Sequence, residues 1–268
     1  MTRIVVAGAS GWVGRELVRA VAAAADLSLA GAVSRSAAGK DAGEVSGASI
    51  LGVAVSASLA EALAVPSDVV IDYTKTHVVK GHALEALAAG RHVVIGTSGL
   101  AADDYAEIDA AARAAGRGVI AAGNFSITAS LLKRFATMAA RYVPDVEIID
   151  YASAKKPDTP SGTGRELGEI LSKIRQTPTS KPIDELGGIR ETRGGSVNAG
   201  GIAVQVHSVR MPSFVLSAEA IFGLPDERLT IRHDAGSSAA PYVGGTLLAA
   251  RRVSDVVGLV RGIDHLLD

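Results

Sequence analysis

The chain has 268 residues, enough to bury a large core and of a length that fits two modest domains or one large one. Its 27 basic and 28 acidic residues leave a formal net charge of -1, so no global field draws it to nucleic acid or to a membrane surface, and any attraction for anions is local. It has no cysteine, which excludes disulfides, thiolate nucleophiles and cysteine metal sites and suits a cytoplasmic location.

The N-terminal half reads as strands alternating with helices. Arg3–Ala7 is a short apolar run followed by Gly8-Ala9-Ser10-Gly11-Trp12-Val13-Gly14 and a helical segment, Arg15–Ala24. The opening residues thus form a strand rather than a signal peptide, and no run approaches the roughly 18 apolar residues of a membrane span. The bland reading of a Gly-x-x-Gly-x-x-Gly string is a tight turn. At the first strand-to-helix turn of an α/β pattern, however, it lets backbone approach a pyrophosphate beside a helix N-terminus, and dinucleotide binding is the favoured reading.

The second strand, Leu27–Val33, ends at Ser34-Arg35-Ser36. An acidic residue there would favour NAD, whereas an arginine accommodates a 2′-phosphate. The expected cofactor is therefore NADPH, with NADH the weaker alternative; the competing reading makes Arg35 an ordinary exposed residue. Strands follow at Val69–Asp72, His92–Ile95 and Gly118–Ala121, with helices at Lys75–Ala89 and Ala101–Ala115. The implied parallel sheet puts the polar loops Asp72-Tyr73-Thr74 and Gly96-Thr97-Ser98-Gly99 at strand carboxyl ends, where ligands bind. A reading of Thr74 and Thr97 as helix N-caps is compatible with this. Asp103 and Asp104 suit the start of a helix dipole.

At Asn124-Phe125-Ser126 the pattern changes. A helix over Ile127–Tyr142 leads to a strand, Val146–Ala152, and then to Lys155-Lys156-Pro157-Asp158-Thr159-Pro160-Ser161-Gly162-Thr163-Gly164. This stretch reads as a cationic strand end running into the helix Arg165–Ile174. Free N–H groups and two lysines at such a place make a cradle for a small carboxylate. A long Pro-, Ser- and Gly-rich segment, Gln176–Gly201, precedes strand-like runs at Ile202–Met211, Phe214–Phe222 and Arg228–His233, which imply an antiparallel or mixed sheet. A closing helix, Tyr242–Val253, has the length to return to the first domain. His77 and His82 lack a metal-ligand pattern; His207 and His233 read as core histidines paired with Asp234 or a carbonyl.

Taken in order, these motifs, together with His207-Ser208-Val209-Arg210 and Thr230-Ile231-Arg232-His233-Asp234, resemble the dihydrodipicolinate reductase family over essentially the whole chain. The resemblance implies an α/β fold with a Rossmann-type parallel sheet domain (residues 1–124 with 237–268) and a second α+β domain with a mixed sheet (125–236) that builds a homotetramer. It implies hydride transfer from a nicotinamide cofactor in lysine and diaminopimelate biosynthesis. Carried over by position, Gly8, Ser10, Gly11, Trp12, Val13 and Gly14 face pyrophosphate, and Ser34 and Arg35 face the 2′-phosphate. Asp72, Tyr73, Thr74, Gly96, Thr97 and Ser98 border the nicotinamide, and Asn124 and Phe125 match the domain-joining segment. Ser161, Gly162 and Thr163, with Ser153 and Lys155, bind the substrate, and Lys156 is the catalytic cation or proton donor.

The family pattern Glu-x-His-His-x-x-Lys is broken here, reading Asp150-Tyr151-Ala152-Ser153-Ala154-Lys155-Lys156. The first histidine, regarded as the acid, is replaced by Ala152, which cannot transfer a proton. After Asp234 the tail reads Ala235-Gly236-Ser237-Ser238, without the arginine frequent in the family. The leading expectation is an NADPH-dependent reductase of a cyclic imine carrying a carboxylate, with altered substrate specificity. The alternatives are the lysine-pathway reductase itself, with Lys156, Lys155, Tyr151 or water as acid, and a non-catalytic NADPH-binding sensor or scaffold. His233 is the best substitute acid if the fold brings it to Lys156.

Overall fold

The computed structural model describes every residue except 176–180, 190, 193 and 268. It divides into two compact units, Met1–Ile127 with Ser238–Asp268, and Thr128–Ser237.

The first unit runs β1 (Thr2–Ala7), α1 (Trp12–Ala23), β2 (Leu27–Val33), α2 (Ala42–Ser46), β3 (Val55–Ser56), α3 (Leu59–Leu63), β4 (Val69–Asp72), α4 (Thr76–Ala88), β5 (His92–Ile95), α5 (Ala102–Ala115) and β6 (Gly118–Ala121). Among the described residues these strands, joined by a late strand from the C-terminal segment, form a seven-stranded parallel sheet. The interior strand β1 shows why the sequence reads as unbroken apolar runs. Ile4 and Val6 enter one core with α1, while Val5 and Ala7 enter a second core with α3, α4 and α5; a sheet covered on both faces has no polar side. Helix α1 lays Leu17, Val18 and Val21 on that first core, an i, i+1, i+4 stripe of one helical face.

The second unit contains α6 (Ile127–Ala139, whose first residue lies in the first unit), β7 (Asp145–Ala152), α7 (Gly162–Ile174), β8 (Gly195–Val197), β9 (Val204–Arg210), β10 (Leu216–Leu224) and β11 (Glu227–Ala235). The strands lie in the order β11-β10-β7-β9-β8, with β7 and β9 parallel and the other pairs antiparallel. Along β7, Val146, Ile148, Asp150 and Ala152 are buried and the residues between them are half-exposed, as the two-residue strand period requires. The buried face packs on Leu132 and Ala136 of α6 and Leu167 and Leu171 of α7. The chain then returns to the first unit through α8 (Ala240–Arg252), which joins the α1 core, and β12 (Gly258–Arg261), which pairs with β6.

Several boundaries differ from expectation for local reasons. Helix α1 begins at Trp12 rather than Arg15 because the extended Gly11 is its N-cap, and α7 begins at Gly162 because Ser161 caps it. Strand β10 starts at Leu216, since Met211 to Phe214 makes a turn closed by a 3.3 Å Phe214 N–H to Met211 O bond. The hairpin to β11 needs only Pro225 and Asp226, with Asp226 in the left-handed region at φ 62°. Within the long segment Gln176–Gly201, β8 forms a sheet edge; the part of that expectation falling on 176–180, 190 and 193 lies outside the described residues.

Candidate functional site

In the first unit the glycine turn is built by contacts that leave no room for side chains. Gly8 has φ 87°, and a Cβ on it would stand 2.4 Å from the Tyr73 carbonyl oxygen; a Cβ on Gly14 would stand 2.0 Å from the Gly8 oxygen. Helix α1 therefore presses onto the turn that joins it to β1, and that turn packs on the backbone following β4. Its N-cap Gly11 offers no side-chain acceptor and its first turn has no acidic residue. The N–H groups of Trp12, Val13 and Gly14 consequently have no acceptor among the described residues. This donor set, at the positive end of a helix dipole, fits a pyrophosphate. Trp12 itself is 58% exposed and meets Tyr242 edge to face, with ring centres 5.7 Å apart.

Beside the turn, the Ser10 and Ser34 hydroxyls lie 2.6 Å apart and Ser34 lies 3.3 Å from Ser36. Arg35 opens a short 3-10 turn after β2; it is exposed and forms no ion pair among the described residues. The tip of β2 thus presents hydroxyls and, among the described residues, a guanidinium without an ion pair, and it carries no carboxylate.

Asp72, at the end of β4, is fully buried and acts as a hub. Its Oδ1 accepts from the Thr74 N–H (2.9 Å), the Thr74 hydroxyl (2.7 Å) and the Thr97 hydroxyl (3.1 Å), and its Oδ2 accepts from His82 Nδ1 at 2.8 Å. Neither threonine is a helix N-cap: α4 is capped by Lys75 without a side-chain bond, and the start of α5 is held by Asp104 Oδ2 accepting from Ala101 N–H at 3.0 Å. The reading of Thr74 and Thr97 as caps is corrected accordingly, because a buried carboxylate outcompetes the helix ends for their hydroxyls. The Ser98 carbonyl accepts from the Thr76 hydroxyl at 2.8 Å.

The Gly96 backbone lies against the Tyr73 ring, where a Cβ would fall 2.0 Å from Cζ. The Tyr73 hydroxyl donates to Thr246 Oγ1 at 2.8 Å, since the Thr246 hydrogen already serves the Tyr242 carbonyl; burial raises the Tyr73 pKa. Phe125 is buried 6.2 Å from the Tyr73 ring, and the Asn124 side-chain oxygen accepts from Ser126 N–H. The loops thus form one interlocked set of Asp72, Tyr73, Thr74, Gly96, Thr97 and Ser98. His82 and Thr246, which have no motif around them, are members that sequence reasoning missed.

In the second unit the start of α7 is organised by a buried carboxylate. Asp150 is 0% exposed, and its Oδ2 accepts from the Ser161 N–H at 2.8 Å and its Oδ1 from the Ser161 hydroxyl at 2.5 Å. Arg210 donates from Nη2 to Asp150 Oδ2 at 2.7 Å and to the Asp158 carbonyl at 2.9 Å, and from Nη1 to the Asp150 and Val209 carbonyls at 3.1 and 2.9 Å. Burial alone would raise the Asp150 pKa, but the two Ser161 bonds and Arg210 outweigh it and hold the carboxyl below its ordinary value.

Ser161 also caps α7 by accepting from the Gly164 N–H at 3.2 Å, so both of its donors point inward. The donors left open at this helix start, among the described residues, are the N–H groups of Gly162 and Thr163 and the Thr163 hydroxyl. Ser153 anchors the preceding turn: its carbonyl accepts from Lys156 N–H at 2.9 Å and its hydroxyl from Lys155 N–H at 3.3 Å. The Lys156 ammonium lies 3.2 Å from Asp158 at a half-exposed position. Asp150 and Arg210 carry this geometry, and the only sequence signal for them is their place in two motif strings.

Position 152 is fully buried on the face of β7 that carries Asp150, in register with Arg210. Tyr151 points to the opposite face, where its hydroxyl donates to Glu219 at 3.1 Å, Arg232 lies 4.8 Å over its ring, and burial followed by Glu219 raises its pKa. It is not a substitute acid at the cradle, for neighbouring residues of a strand face opposite ways. His207 pairs with Glu147 at 2.7 Å, and His233 is buried against Thr128 at 3.1 Å. The expected partner of either, Asp234, instead binds Arg232. Burial lowers the His233 pKa below its ordinary value. Among the described residues no cluster suited to a metal and no helix long and apolar enough to cross a membrane is present.

The comparisons with known proteins cover both units. Residues 2–125 match the family model described as dihydrodipicolinate reductase, N-terminus, and residues 127–267 the one described as dihydrodipicolinate reductase, C-terminus. A 4-hydroxy-tetrahydrodipicolinate reductase of Desulfitobacterium hafniense is 38% identical over 268 residues, covering 99% of this chain and 98% of the relative. One of Synechococcus elongatus is 37% identical over 272 residues, covering 98% of each. Among solved structures, a dipicolinate-bound dihydrodipicolinate reductase from Paenisporosarcina sp. TG-14 superposes with a TM-score of 0.84 at 28% identity over 99% of both chains. An amine dehydrogenase from Mycobacterium smegmatis, at 16% identity and a TM-score of 0.66, shares the fold. With both family models matched end to end on a Rossmann-type sheet and a mixed-sheet unit, the chain belongs to the dihydrodipicolinate reductase family of NAD(P)H-dependent oxidoreductases.

Proposed function

We propose that this protein is an NADPH-dependent 4-hydroxy-tetrahydrodipicolinate reductase, acting in lysine and diaminopimelate biosynthesis. The observation that carries the reading is the α7 cradle: open N–H groups at Gly162 and Thr163, aimed by the Asp150–Ser161–Arg210 network beside two lysines, suit a substrate carboxylate. Full-length identity of 35–38% to proteins of that name supports the same substrate rather than the altered specificity expected from the sequence.

Bound nicotinamide supplies the hydride. Trp12, Val13 and Gly14 would hold the pyrophosphate with backbone N–H groups. Ser10, Ser34 and Arg35 would hold the 2′-phosphate, which makes NADPH the preferred form and NADH the weaker one. The Asp72 hub fixes Thr74 and Thr97, and the Tyr73–Gly96 contact fixes the loop on which Ser98 lies, so these loops would border the nicotinamide without rearranging. Lys156 would neutralise the substrate carboxylate and donate the proton that the reduced ring takes up. The mixed sheet of the second unit turns a half-exposed face carrying Ile149, Val209 and Ile221 outward, and we assign it to homotetramer assembly.

One observation favours a second reading. The paired histidines of the family pattern are Ala152 and Ser153 here, and a positioned general acid typically contributes about 10² to 10⁴-fold. A basic cyclic imine carboxylate that is already protonated in solution needs no such acid. The test follows NADPH oxidation with freshly generated 4-hydroxy-tetrahydrodipicolinate and, separately, with pyrroline carboxylate. Turnover of the first with release of the tetrahydropyridine dicarboxylate supports the proposal. Turnover of the second alone transfers it to the imine reading, and tight NADPH binding with no turnover of either refutes both.

A further inference from the structure

Two successive helices of the first unit end on the same four residues. Ala88-Ala89-Gly90-Arg91 closes α4 and Ala114-Ala115-Gly116-Arg117 closes α5. In each, the glycine takes a left-handed conformation, φ 74° at Gly90 and φ 61° at Gly116, and the arginine N–H bonds back to a helix carbonyl at 2.9 Å, Arg91 to Ala86 and Arg117 to Ala112. This helix stop turns each chain into the next strand and sets its arginine at the amino end of the sheet. Both arginines line a cavity of about 350 Å³ there, within the usual range for small-ligand sites. The cofactor loops follow β1, β2, β4 and β5 at their carboxyl ends, so the cavity lies a strand's length from them, roughly 13 Å at four residues.

The charges around it are unbalanced. Asp68 is neutralised by Arg3, whose Nη2 reaches Oδ1 at 2.7 Å and whose Nε reaches Oδ2 at 3.0 Å, and Arg251 is bound to Asp26 at 2.7 and 2.9 Å. Arg91 feels the field of Asp68, but neither Arg91 nor Arg117 forms a hydrogen-bonded ion pair among the described residues, and the Nε of each is buried without an acceptor. Ser67 lines the same cavity, is 1% exposed, and its hydroxyl is also without a partner. His92 accepts the Gly118 N–H on Nδ1 at 2.9 Å, which places its hydrogen on Nε2 as one more donor.

We propose that this cavity is a binding site for a small oxyanion, the phosphate or carboxylate group of a soluble metabolite, separate from the cofactor and substrate sites. Two guanidinium groups and a hydroxyl without acceptors are the chemistry that recognises such a group.

The test is calorimetric titration of the whole protein with inorganic phosphate and with citrate, with and without saturating NADPH so that phosphate at the nucleotide site is separated. Expected is binding of at least one probe that persists with NADPH present and weakens by ~10-fold or more in R91Q/R117Q, each charged hydrogen bond being worth about that factor. The affinity of that variant for NADPH stays unchanged. The charge-conserving R91K/R117K, which keeps the charge and loses the fork, is expected to lie between the two and serves if the glutamine variant does not fold. Absence of any heat in the NADPH-saturated protein, or undiminished affinity in a folded variant, overturns the proposal.

Discussion

Replacing Asp150 by asparagine tests whether the cradle is aimed by its buried carboxylate. The asparagine keeps the shape: with its oxygen at the Oδ2 position it still accepts from the Ser161 N–H and Arg210 Nη2, and its amine at the Oδ1 position faces the Ser161 hydroxyl, which can accept. What is lost is the negative charge: Arg210 keeps three carbonyls but, among the described residues, no longer has a charged partner. Breaking a buried pair in this way costs about 3–5 kcal/mol, a large part of the roughly 5–15 kcal/mol that holds a protein folded. Urea unfolding followed by circular dichroism measures the loss. The pH dependence gives an independent check. The native Asp150 pKa lies below the ordinary 3.8, so its stabilisation is present above that value and is lost as pH falls through the depressed native one. The gap between wild type and D150N is therefore expected to narrow in acid. A stability difference under ~1 kcal/mol at neutral pH, no more than one neutral hydrogen bond contributes, would refute the reasoning.

Three further predictions concern individual residues. Arg35→Ala is expected to remove the preference for NADPH over NADH, read as the ratio of kcat/KM values; a ratio unchanged from wild type removes Arg35 from the 2′-phosphate site. Lys156→Ala is expected to raise KM for carboxylated substrates about tenfold or more through loss of a charge-assisted contact, with NADPH affinity unaltered; unaltered kinetics would take Lys156 out of the site. Gly96→Ala drives a methyl group to 2.0 Å from the Tyr73 ring, and is expected to cost about 1–3 kcal/mol and to weaken NADPH binding. Thermal unfolding and fluorescence titration would show neither change if the Tyr73–Gly96 contact does not shape the loop.

The architecture was legible because its signals are periodic. Continuous apolar strands such as Ile4 to Ala7 require coverage on both faces, and the alternation along β7 requires one open face. The glycine turn was legible because the close approaches at Gly8 and Gly14 admit nothing else. Hidden from the sequence was what the polar residues do for one another. Ser161 reads as a ligand donor, yet both of its donors serve Asp150; Thr74 and Thr97 read as caps, yet both serve Asp72. His82 and Arg210 reach their carboxylates from 10 and 60 residues away, and no local spacing announces such pairs. The short elements β3, α2, α3 and β12 were equally silent, being two to five residues long and held by their neighbours rather than by pattern.

The central claim is that the cradle accepts a dicarboxylate ring for reduction by NADPH. The most direct measurement is kcat/KM for freshly generated 4-hydroxy-tetrahydrodipicolinate against pyrroline carboxylate, at equal NADPH. A clear preference for the dicarboxylate, diminished in Lys156→Ala, is the expected result. Equal or greater efficiency with pyrroline carboxylate in the wild-type protein would contradict it.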